Sequence, residues 1–233
     1  MYTQAKQLHH FLTAEYAEKL ADVLYEIGKS LSSQNDFVTA VKWLERANEI
    51  INGPGLEGLS REGIELRLAI LQALITTLLG TGVPEDFEKA KQLVDFIESE
   101  NGNKFVVLLL KLELLQKKPA EIFDAEAYAD VLQHIIRNFA SSESGFKLVM
   151  HHIRKLHTKS PGAACTVLDD FMLMLSKMDK RGWMEKGVVM RIWMITNQRD
   201  SVDTIETVKG VFSQLSFPLG PEAAVAAQAV GVS

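Results

Sequence analysis

The chain has 233 residues, is 47% hydrophobic and balances 25 Lys and Arg against 30 Asp and Glu. It is long enough for one domain or a short repeat array and too apolar for a disordered chain. Its net charge of −5 argues against a dedicated nucleic-acid binder, though not against a small basic patch. The single cysteine, Cys165, excludes an internal disulfide.

The N-terminus MYTQAKQLHH has no long apolar stretch, and the longest apolar run, Phe105 to Leu110, is broken by Lys111 and Glu113. No membrane span is expected, and the chain reads as soluble and either cytosolic or nuclear. The three-and-four spacing of apolar residues predicts helices throughout. A short one is expected at about 3–11, and longer ones at about 14–33, 36–51, 60–80, 84–100 and 103–117. The series continues at about 124–139, 145–158, 161–177, 182–197 and 201–215. Asp36, Ser60, Pro84, Asp124 and the Ser160-Pro161 pair mark starts, and Asn52-Gly53, Gly80 to Gly82 and Asn101-Gly102 mark stops. Helices of this length on short turns are antiparallel neighbours, which gives an all-α chain.

The first pair carries the spacing of a tetratricopeptide (TPR) unit. With Ala21 as first position, Gly28 falls where two helices approach closely, and Ala40 and Ala47 lie seven apart on the second helix with Trp43 and Leu44 between them. Leu24, Ile27 and Leu31 are the expected packing row of the first helix. Asp86-Phe87 and Ala90 repeat Asp36-Phe37 and Ala40 at a spacing of 50 rather than 34 residues, and later pairs keep the rhythm without the signature. The fold expected is an α-solenoid of TPR-like antiparallel helix pairs. It fills one domain over 1–216, with a low-complexity, disordered tail over 217–233 that lacks the polar cap of a finished array, so the chain reads as a piece of a longer protein.

Five features bear on chemistry. Gly53, Gly55 and Gly58 spell the G-x-G-x-x-G dinucleotide fingerprint, but they follow an amphipathic helix rather than a strand and enclose Pro54, so a loop is the better reading. His151, His152 and His157 lie one, five and six apart, which does not converge on one metal ion. With Arg154, Lys155 and Lys159 they form either a solvated helix end or a basic face for an acidic partner or a phosphate backbone. Met172, Met174, Met178, Met184, Met190 and Met194, with Trp183 and Trp193, read as core filler or as an adaptable binding surface. Cys165 reads as buried packing, and the adjacent Asp169 and Asp170 point apart on their helix and make a poor acid/base pair. No catalytic, metal-binding or cofactor-binding residue is expected, and the chain reads as no enzyme.

The stretches Leu24 to Ile51, Leu66 to Gly80, Lys104 to Leu115, Phe123 to Arg137 and Phe146 to Asp170 resemble, in order, the meiosis-specific TPR scaffolds of the sporulation-protein-twenty-two or Zip-four family. The resemblance runs from about Ala14 to Asn197. It implies a non-catalytic nuclear scaffold on meiotic chromosomes that promotes crossover formation and synapsis. The implied partners are other crossover-promoting proteins and chromosome-axis proteins, with no membrane and no direct DNA contact. The alternative is a TPR adaptor or co-chaperone docking module outside meiosis. That would need a basic clamp in the groove of the first pair, where Asp22, Tyr25, Lys29, Ser32 and Ser33 supply only Lys29. Asp22, Tyr25 and Lys29, spaced three and four apart, are the candidate partner-binding residues, expected to add little to the fold.

Overall fold

A computed structural model of the chain describes residues 13–118, 123–139, 141–178 and 180–197, together with Val225. Nine helices make up the described residues, with no strand among them. They are α1 (Ala14–Ser33), α2 (Phe37–Asn52), α3 (Arg61–Thr81), α4 (Pro84–Asn101), α5 (Phe105–Lys117), α6 (Ala125–Arg137), α7 (Glu143–Lys159), α8 (Pro161–Lys177) and α9 (Arg181–Asn197). The ends fall within about two residues of the sequence expectation. The expected helices at 3–11 and 201–215 lie outside the described residues, as does the tail except for Val225. Contacts gather into two compact units, Met1–Lys117 and Lys118–Ser233.

In the first unit each helix packs on the next, and α1 also meets α3 as α3 meets α5. Contact with the next helix and the one after it is the pattern of stacked TPR-like pairs. The turn from α1 to α2 is specified by its residues. Asn35 takes φ 64°, the left-handed conformation that asparagine tolerates better than other non-glycine residues. The Asp36 N–H then reaches the Leu31 carbonyl at 3.1 Å and the Asn35 N–H reaches Ser32 at 3.0 Å, a Schellman closure. Asp36 at once becomes the cap of α2, its carboxylate accepting from the Thr39 N–H at 3.3 Å. Ser60 caps α3 at Gly63 (2.9 Å) and also gives its N–H and hydroxyl to the Glu18 carboxylate of α1, each at 2.7 Å.

Small residues set the helix separations. A Cβ on Gly28 would come within 2.6 Å of Leu44 Cγ on α2, and one on Gly80 within 2.8 Å of the Phe37 ring. Ala17, Ala21, Ala40 and Ala47 are all fully buried. The packing row of α1 is therefore Ala17, Ala21, Leu24 and Gly28, which corrects the expected row. Leu24 belongs to it, but Ile27 is 37% exposed and Leu31 half-buried. Ile27 joins Tyr16, Leu20 and Val23 in an exposed stripe on the flank of α1 away from Tyr25. Trp43, next to the fully buried Leu44, is likewise 37% exposed. Each fully buried Leu or Ile, such as Leu44, Ile51 or Ile75, contributes about 1.5–3 kcal/mol over the exposed state.

α3 is long and apolar enough by composition to cross a membrane, contrary to the expectation that no segment approaches such a span. Its apolar residues instead fill the core of the first unit, where Ile70, Leu71, Leu74, Ile75, Leu78 and Leu79 are buried against neighbouring helices. It also holds a buried cation. Arg67 donates from Nε to Asn52 (2.7 Å) and, through the two guanidinium nitrogens, to both oxygens of Glu100 (2.9 and 3.2 Å), which joins α3 to α2 and α4.

In the second unit α6 packs on α7 and α8, α7 on α8 and α9, and α8 on α9. An aromatic cluster ties them. Phe146 stacks on Trp183 at 5.1 Å between centroids and lies 5.9 Å from Phe171, while Phe139 meets Phe171 and Trp183 edge-on. Gly187 brings α9 onto α8, since a Cβ there would sit 2.9 Å from Met172.

Candidate functional site

Asp22 and Lys29 are exposed on α1, and Tyr25 between them is half-buried. The Lys29 ammonium stands 5.2 Å from the centre of the Tyr25 ring and 3.3 Å from Glu26, whose hydrogen bond holds its pKa above the ordinary value. Tyr25 also packs against both core clusters of the first unit. The expectation that all three side chains add little to the fold is therefore corrected for Tyr25, whose ring is part of the α1 packing. Asp22 and Lys29 keep the property.

The glycine fingerprint is a loop. Gly53 directly follows α2, Gly55 takes φ 74°, and Leu56–Gly58 form one turn of 3₁₀ helix before the Ser60 cap. Asp169 and Asp170 diverge as expected, one paired with Arg191 (3.1 Å) and the other accepting from Gln133 (2.9 Å). Cys165 is buried, and its sulfur also accepts from Arg191 at 2.7 Å, a partner that its apolar neighbours in the sequence do not announce.

The three histidines part company. His151 is exposed, His157 is buried with its ring 5.2 Å from Trp193, and His152 turns inward to the buried Tyr128 of α6. The Tyr128 hydroxyl and His152 Nδ1 share a hydrogen bond of 2.7 Å. Burial pushes Tyr128 up to about 12; burial, with the charges of His151 and Lys155, pushes His152 down to about 4. Both groups are thus neutral near pH 7, and the imidazole tautomer sets which of them donates.

That pair carries a pH dependence with a definite sign. The folded His152 resists a proton that the unfolded chain accepts near pH 6.5, so its stabilisation is complete above about pH 6.5 and drains as pH falls toward 4. After screening by water the loss is expected to be about 2 kcal/mol. Urea titrations of wild type and His152→Gln at pH 7 and pH 4.5 measure it. The gap between them should narrow at the lower pH, and a gap that does not change rules out a neutral buried pair.

The methionine-rich stretch divides. Met184, Met190 and Met194 are buried, Met172 and Met174 half-buried, and Met178 and Trp193 exposed. Arg154 of the basic cluster lies over the Trp193 ring, its guanidinium carbon 5.9 Å from the centroid. Two features that stand apart in the sequence, the basic face of α7 and the aromatic end of α9, thus meet.

The model of the SPO22/ZIP4-like meiosis proteins matches residues 1–230 of this chain. The chain belongs to that family. Its role is in meiosis. Neither the curated proteins nor the solved structures yield a match. The all-helical, successive packing of both units agrees with the fold that the resemblance implied.

Proposed function

We propose that this SPO22/ZIP4-like protein is a non-catalytic scaffold that promotes meiotic crossover formation and synapsis. It does so by holding other crossover-promoting proteins and chromosome-axis proteins together on meiotic chromosomes in the nucleus. The observation that carries this reading is the family match over residues 1–230. The surface chemistry fits it. Asp22 and Lys29 offer opposite charges three and four residues from the amphipathic ring of Tyr25, the kind of row that fixes the register of a partner segment.

Because Tyr25 supports the core, the test leaves it in place. Asp22→Lys combined with Lys29→Glu reverses both charges on exposed positions. It should weaken partner capture by about 2 kcal/mol while the melting temperature stays within about 2 °C of wild type. Pull-downs from meiotic extract, with the recovered crossover and axis proteins quantified against wild type, decide it. Equal recovery removes this row of α1 as a binding surface, and recovery of no crossover or axis protein by either chain removes the scaffold reading.

A further inference from the structure

α7 and α9 of the second unit enclose a groove of about 650 Å³. This is within the range of roughly 300–1,000 Å³ usual for binding clefts. Its floor is apolar, formed by Met150 of α7 and Val189, Met190 and Trp193 of α9. Its rim is cationic, with Lys147 and Arg154 on the α7 side and Lys186 on the α9 side. All three cations are exposed, in a chain whose net charge is −5. Glu143 is an acidic neighbour, paired with Lys147 at 2.8 Å through a bond exposed at both ends and also within reach of the Lys186 charge. Such a pair contributes little and yields readily to a competing carboxylate.

The spacing describes the occupant. On α9, Lys186, Val189, Met190 and Trp193 lie at i, i+3, i+4 and i+7, so the groove runs for about two helical turns, roughly 11 Å. Apolar anchors at that spacing on a partner helix would meet the floor while its flanking charges meet the rim. We infer that the α7–α9 groove docks a short acidic amphipathic helix, with its apolar side chains on Met150, Met190 and Trp193 and its carboxylates on Lys147, Arg154 and Lys186. Phosphate of a nucleic acid would satisfy the rim but leave the apolar floor without a partner, so a protein segment is the better match. The groove belongs to the second unit and the α1 row to the first, and the inference stands on the groove's own geometry.

The probe is a fluorescent 14-residue helical peptide with Leu and Trp at i, i+3, i+4 and i+7 and Glu elsewhere, titrated by anisotropy into the full chain. Controls keep its apolar positions with Lys elsewhere, or its Glu positions with Ala as anchors. The acidic amphipathic peptide should bind at least roughly tenfold more tightly than either control, and more weakly as NaCl rises. Arg154→Glu with Lys186→Glu should cost roughly another tenfold with an unchanged helical melt, since both side chains are exposed. Equal binding of the Lys peptide or the Ala-anchored peptide overturns the proposal, as does equal affinity of the charge-reversed chain. Displacement of the peptide by an equimolar 20-nucleotide single strand would reassign the groove to nucleic acid. Self-association abolished by the double variant would reassign it to a second copy. The salt dependence of the wild-type chain tests the charge contact even if the variant unfolds, and affinity independent of NaCl also overturns it.

Discussion

Ala40→Glu is expected to unfold the first helix pair, at a cost of about 3 kcal/mol or more. Ala40 is fully buried on α2, and its carbonyl oxygen lies 3.4 Å from where a Cβ on Gly28 would be. The Leu44 side chain packs into the same crossing, which leaves no room for a longer one. A glutamate at this site must either bury an unpaired carboxylate or force α1 and α2 apart, exposing Leu24, Leu44 and Ala47. Loss of the α1–α2 contact also frees the Glu18 carboxylate from Ser60, so the start of α3 loosens with it. Urea denaturation followed by circular dichroism measures the loss, and Ala40→Ser, which adds one hydroxyl, should lose much less. A melt within about 2 °C of wild type would mean that α1 and α2 do not cross at this position.

Arg67→Ala is the second large effect, expected at about 3 kcal/mol. The residue is only 7% exposed, yet it carries a full charge within the long apolar helix α3. Its charge is neutralised by the two-point bond to Glu100, its Nε–H is taken by Asn52, and its guanidinium lies 5.5 Å from the centre of the Phe96 ring. Truncation removes these contacts at once and leaves Glu100, whose side chain is 26% exposed, without its counter-charge. Arg67→Met with Glu100→Met should recover part of the loss, since an apolar pair of similar volume has no desolvation to offset. A double-mutant cycle with Arg67→Ala and Glu100→Ala should show a coupling of about 2 kcal/mol. Coupling below about 0.5 kcal/mol would mean that water already carries the charge.

The first helix pair is legible in the sequence because its contacts are made by residue size. Gly28, Ala40 and Ala47 are small where backbones approach, and that constraint shows at fixed spacing. The packing row of α1 is less legible for the same reason. Its buried face is mostly Ala17, Ala21 and Gly28, so hydrophobicity favours Ile27, which lies on an exposed stripe. Arg67 has no local signal, because its partner Glu100 is 33 residues away. The groove between α7 and α9 was half visible. A basic face and a methionine- and tryptophan-rich stretch each stand out, but only the packing of helices two apart brings Arg154 over Trp193. The candidate row Asp22, Tyr25 and Lys29 follows from helix periodicity alone, whereas the support that Tyr25 gives the core depends on where α3 lies.

Packing between helices adjacent or two apart in the chain bears on how quickly either unit assembles. Such a topology has low relative contact order, so little loop entropy is lost before the first native contacts form. The α1–α2 hairpin, closed by Asn35 and Asp36, can zip as soon as both helices exist, and its completed face is the template on which α3 lands. Collapse can therefore spread from hairpin to neighbour without waiting for distant segments, which shortens the time for which the apolar faces of α3 and α5 stand open to aggregation.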